Sequence, residues 1–81
     1  MTELSLCMIV KNEEERLARC LSGVQGAVDE IIILDTGSTD ATKAIAREFT
    51  PSVYDYAWDD DFAAARNTSF AYATRPFILW L

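Results

Sequence analysis

"IIILDTGSTD", residues 31–40, passes in one step from four branched aliphatic residues to Asp-Thr-Gly-Ser-Thr-Asp. A run of Ile and Leu without alternation is the pattern of a strand buried on both faces. The polar residues behind it supply a turn at Asp35-Thr36-Gly37-Ser38 and an N-cap for a following helix at Thr39 or Asp40. A strand from Glu30 to Leu34 therefore delivers a carboxylate and two hydroxyls at its carboxyl end. A strand that enters a helix directly belongs to an α/β chain.

The flanking sequence repeats the pattern. Leu4 to Val10 (LSLCMIV) is a second two-sided apolar strand, followed by Lys11-Asn12-Glu13. Asn12 with Glu15 three residues later forms a capping box for a helix. Leu17, Cys20, Leu21 and Val24 put one apolar stripe on that helix, and Gly23 and Gly26 mark its fading end. After residue 40, Ala41, Ala44, Ile45 and Phe49 mark a second amphipathic helix that closes before Pro51. SVYDYAW, from Ser52, alternates more and suits an edge strand. Asp59-Asp60-Asp61 precede a third helix from Phe62 to about Ala73, and PFILWL, from Pro76, is a fourth strand. The order β-α-β-α-β-α-β with two-sided strands predicts a mainly parallel sheet of about four strands in a three-layer α/β/α arrangement.

Bulk properties narrow the function classes. At 81 residues the chain holds one small domain, and its 51% hydrophobic content argues against disorder. Its apolar runs are far shorter than the ~20 residues that span a membrane, and the amino terminus lacks a basic leader. A cytoplasmic location is the resulting expectation. A net charge of −6 with only seven Lys and Arg argues against a nucleic-acid partner. With no histidine, Ser-His and Cys-His triads and His-based metal sites are excluded. Cys7 and Cys20 lie in apolar segments and read as reduced core thiols.

Asp-Thr-Gly is also the signature of the aspartic-protease dyad. That chemistry needs an all-β chain with a glycine-rich flap, and here all three glycines lie at or before residue 37, with a helix directly behind the motif. The nucleotide alternative fits the topology. Open parallel sheets bind ligands beyond the carboxyl ends of their strands, and three polar clusters fall there: Lys11 to Glu13, Asp35 to Asp40, and Asp59 to Asp61. Capping and turn formation alone account for about half of those residues. Walker A and Gly-x-Gly-x-x-Gly patterns are absent.

LSLCMIVKNEEERLARCL, VDEIIILDTGSTDAT and DDDFAAARNTSF…ATRPFILWL together resemble the start of a family 2 glycosyltransferase of the Rossmann-like GT-A fold, closest to its bacterial branch. The resemblance spans the whole chain. It implies the amino-terminal, nucleotide-sugar-binding half of such a domain, with a nucleotide-diphosphate sugar as donor, UDP-sugar foremost, and an inverting transfer. It places Val10, Lys11, Asn12 and Glu13 along the base and ribose, with Glu13 an acceptor. It places Asp35 at the base and ribose, and Arg66 facing the base or the pyrophosphate.

One position departs from the family. Many members carry a second Asp after the strand, pairing with uracil, where this chain has Thr36; a hydroxyl discriminates less strongly against the wrong base edge. Asp59-x-Asp61 has the form of the family's Asp-x-Asp metal motif, but it precedes a helix, where capping is its expected role. The divalent cation (Mg or Mn), the acceptor site and the catalytic base of the full enzyme are expected beyond residue 81. No catalytic residue or metal ligand is therefore assigned here, and the isolated chain is expected to be inactive. The apolar last strand predicts homo-oligomers through Phe77 to Leu81; a monodisperse monomer in light scattering at high concentration would contradict that. The competing class is a stand-alone, non-catalytic α/β nucleotide-binding or assembly module.

Overall fold

The computed structural model describes residues 3–80. The elements follow the expected order: β1 (Leu4–Val10), α1 (Leu17–Val24), β2 (Glu30–Asp35), α2 (Thr42–Phe49), β3 (Val53–Asp55), α3 (Phe62–Tyr72) and β4 (Phe77–Trp80). All strand pairs are parallel, in the order β3-β2-β1-β4. This is the sheet of a Rossmann-like half-domain. β3 lies at an edge, as its alternating sequence predicts.

Handedness places the helices. The first two crossovers run from β1 through β2 to β3, and the third returns past β1 to β4. Right-handed connections running in opposite directions put their helices on opposite faces. Accordingly α1 and α2 pack together over Leu6, Val10, Ile31 and Ile33, with Leu17, Leu21 and Ala46 facing them. On the other face α3 buries Ala65 and Ser69, and the Cys7 thiol donates to the Ser69 carbonyl at 3.6 Å. Both cysteines are free. Burial, with a smaller contribution from the Glu30 charge, pushes the Cys7 thiol up in pKa despite the Ser69 contact.

Three local expectations need correction. Asn12 does not cap α1. The chain first makes a turn in which Arg16 and Leu17 N–H both donate to the Glu13 carbonyl, and α1 begins at Leu17 without a side-chain cap. Asn12 instead takes the left-handed conformation (φ 52°), which its short polar side chain tolerates. The buried stripe of α2 is rotated: Thr42 and Ala46 are buried and Ile45 and Phe49 half-buried, whereas Ala41 and Ala44 face solvent. β3 is three residues long rather than seven. Past Asp55 the Tyr56 N–H still reaches the Asp35 carbonyl at 2.8 Å, but the chain then leaves the sheet into a loop held by side chains.

β4 pairs with β1 and carries Phe77, Ile78, Leu79 and Trp80, all exposed. Leu81, part of the segment expected to self-associate, lies outside the described residues. No described helix is long and apolar enough to cross a membrane.

At the amino ends of the strands, Glu30 ties three segments together. Its carboxylate accepts from the Ser5 hydroxyl (2.7 Å), the Thr74 N–H (2.8 Å) and the Thr74 hydroxyl (2.7 Å). Burial works to raise its pKa, but these donors and the Arg75 charge outweigh it, and the carboxyl titrates below its usual range. A lowered folded pKa gives stability that is complete above the unfolded value of about 4.3 and lost as pH falls through the folded one. In urea unfolding, Glu30→Gln is expected to flatten the fall in stability between about pH 5 and pH 3; an unchanged slope would contradict the assignment.

Candidate functional site

The parallel register brings the carboxyl ends of β1 and β2 level, with Val10 beside Asp35 and Asp35 beside Asp55. The loops that follow are joined by side chains. Asn12 N–H donates to the Ser38 hydroxyl (2.9 Å), Glu13 N–H to the Thr42 hydroxyl (2.8 Å) and Glu14 N–H to Asp40 (3.4 Å). In return, Thr39 N–H donates to the Asn12 side-chain oxygen (2.8 Å) and Ala41 N–H to Glu14 (3.0 Å). Asp40 also accepts from the Thr42 N–H at 2.9 Å and from its hydroxyl, but it stands one residue before the N-cap of α2, which is Ala41 without a side-chain cap, so neither Thr39 nor Asp40 takes the N-cap place expected from sequence. Burial acts to raise the Asp40 pKa; the Thr42 donors and the Glu14 N–H overcome it and hold the carboxyl below the usual range.

Asp35 is 1% exposed. One of its oxygens accepts from Gly37 N–H at 2.9 Å and Ser38 N–H at 2.8 Å, closing the turn that carries Gly37 at φ 110°. Its other oxygen, Oδ2, is buried with no hydrogen-bond partner among the described residues. Thr36 is buried, and its hydroxyl donates to the Val10 carbonyl at 3.0 Å. That bond uses the only proton on the hydroxyl, so toward any other group Thr36 can only accept.

Above these residues lies a cavity of about 290 Å³, lined by Ile9, Val10, Lys11, Glu13, Thr36, Trp58 and Phe62. It joins four of the seven residues expected from sequence: Val10, Lys11, Glu13 and Thr36. Asn12 stands outside, binding the second loop, and Asp35 braces the turn rather than lining the space. Arg66 is also outside the lining; its guanidinium lies over the Trp80 ring, 5.6 Å from the centroid. Trp80 contacts Phe62 edge-on at 5.6 Å, which links Arg66 to the cavity wall.

Trp58 and Phe62 were not singled out from sequence, yet they form the wall opposite β1. The sequence carries no specific signal for them, because Trp58 reads as the end of the strand SVYDYAW and Phe62 as the first residue of a helix. A larger cavity of about 380 Å³ opens at the opposite, amino ends of the strands among Gln25, Asp29, Thr50 and Arg75. Size does not favour it, because ligands of open parallel sheets bind at the carboxyl ends.

Hydrogen bonds within the loop and to α3 engage all three consecutive aspartates. Asp59 accepts from Asp61 N–H and the Tyr56 hydroxyl, Asp60 from the Trp58 indole, and Asp61 from Ala64 N–H as the cap of α3. Desolvation, with smaller contributions from the Asp59 and Asp61 charges, pushes the Tyr56 phenol up in pKa. Among the described residues no group of three or more His, Cys, Asp or Glu is placed to hold a metal.

Comparisons with known proteins agree with the architecture. A TPR repeat-containing protein of Synechococcus elongatus is 53% identical over 81 residues, covering 100% of this chain and 20% of the relative. The SPbeta prophage-derived glycosyltransferase SunS of Bacillus subtilis is 40% identical over 77 residues, 91% of this chain and 18% of its own. An uncharacterized glycosyltransferase of Rickettsia felis is 41% identical over 58 residues, 72% of this chain and 20% of the relative. The chain thus spans about a fifth of the length of these curated relatives. The family model for glycosyl transferase family 2 matches residues 5–81, nearly the whole sequence, and the chain belongs to that family.

Proposed function

We propose that these residues form the nucleotide-binding half of a glycosyltransferase domain, taking a nucleotide-diphosphate sugar as donor for transfer, with inversion, to an acceptor. The observation that carries the reading is the cavity at the carboxyl ends of β1 and β2, where Val10, Lys11, Glu13 and Thr36 converge. Glu13 offers acceptors for ribose hydroxyls, Lys11 lies beside it along the same wall, and Arg66 is the cation that the family resemblance turns toward the base or the pyrophosphate. With the aspartate triplet engaged in turn and cap hydrogen bonds, a divalent metal and a catalytic base would come from residues other than these, and this chain alone would not transfer sugar. A cytoplasmic setting and association through β4 belong to the same proposal.

Calorimetric titration of the chain with UDP, GDP and dTDP, each with Mg²⁺ or Mn²⁺, tests it. Binding of at least one is expected, UDP foremost, weakened roughly tenfold by Arg66→Ala through loss of a charge-assisted contact. Binding indifferent to Arg66→Ala and Thr36→Val would overturn the residue assignments. Failure of every nucleotide to bind would leave the non-catalytic α/β module as the reading of the isolated chain.

A further inference from the structure

Trp58 is 41% exposed in the loop between β3 and α3, but it is not loosely placed. Its indole N–H donates to Asp60 at 3.0 Å, and Asp60 holds φ 62°, a left-handed conformation uncommon outside Gly, Asn and Asp. Phe62 stands edge-on to the indole at 6.0 Å and 78°, and Trp80 stands edge-on to Phe62. An exposed aromatic fixed by a hydrogen bond and by a second ring is a surface prepared for contact.

The rest of the cavity says what kind of contact. Ile9 and Val10 supply an aliphatic side, Trp58 and Phe62 an aromatic one, and the Thr36 hydroxyl offers only lone pairs, its proton being held by Val10. A flat heterocycle with an N–H on its edge meets all three demands. A sugar ring, with hydroxyls around its rim, would find only Lys11, Glu13 and Thr36 as polar partners. We propose that Trp58 is the stacking platform for the base of the nucleotide, with Thr36 accepting from an N–H on that base. The proposal rests on the nucleotide reading above and adds to it a residue and an orientation.

The test compares UDP with ribose 5-phosphate, which carries no base, on the wild-type chain and on Trp58→Ala and Trp58→Phe. Trp58→Ala is expected to weaken UDP binding about 5- to 100-fold, the range of base–aromatic stacking, and Trp58→Phe no more than about threefold. Ribose 5-phosphate binding should be the same in all three. In a Trp80→Phe background the emission of Trp58, then the sole tryptophan, should change with UDP and not with ribose 5-phosphate. UDP affinity unchanged in Trp58→Ala, an equal loss for ribose 5-phosphate, or a silent Trp58 emission would each overturn the platform while leaving the nucleotide reading intact. A wild-type chain that binds no UDP would remove both.

Discussion

Replacing Asp35 by alanine is expected to lower the unfolding free energy by about 2–4 kcal/mol, because two turn N–H groups lose their acceptor at once. Both bonds are short, 2.9 and 2.8 Å, and converge on one buried oxygen. Oδ2 limits the loss, since alanine also removes a buried polar atom that no described residue satisfies. Asp35→Asn keeps an oxygen for the turn and is expected to cost about half as much. Urea unfolding followed by circular dichroism measures both; an alanine variant within about 0.5 kcal/mol of wild type would show that the turn does not depend on Asp35. Any loss of nucleotide binding in Asp35→Ala would then reflect a displaced Gly37 turn, so Thr36 and Arg66 are the better probes of contact.

Leu6→Ala is expected to cost about 2–5 kcal/mol, the range for deleting a buried leucine and leaving a cavity. Leu6 is 0% exposed in β1, between β2 and β4, and belongs to the cluster closed by α1 and α2. For a domain this size, total stability is roughly 4–12 kcal/mol, so the variant loses a large share of it. Phe77→Ala, in the neighbouring strand but 66% exposed, is expected within about 0.5 kcal/mol of wild type. Chemical denaturation of the pair checks the contrast; equal costs would mean that β4 is covered in solution, as self-association through that strand would bring about.

The sheet was legible because its strands are continuous aliphatic runs and its helices carry spaced apolar residues, signals that tertiary context seldom reverses. Leu4 to Val10 and Glu30 onward became central parallel strands with the expected boundaries to within one residue. Caps were less legible. Asn12 followed by Glu15 satisfies the local rule for a helix start, yet the amide serves Thr39 in another loop, and no local pattern encodes a partner 27 residues away. The rotation of α2 has a similar origin: Thr42 is buried because its hydroxyl is used by Glu13 N–H and Asp40, so a polar residue takes a core-facing place. Val10, Lys11, Glu13 and Thr36 converged because strand ends in parallel register must. Trp58 and Phe62 escaped because a loop's path cannot be read from periodicity.

The cross-bonding of the two loops after β1 and β2 limits how such a domain can vary. Five backbone N–H groups, those of residues 12, 13, 14, 39 and 41, find their acceptors on side chains of the opposite loop. Neither loop can therefore gain or lose a residue alone, because a shift of one position would leave several of these donors facing the wrong partner. Variation in length must fall elsewhere on the rim, and the loop from Ala57 to Asp61, whose hydrogen bonds among the described residues run to Tyr56, within the loop and to α3, is the segment freest to accept it.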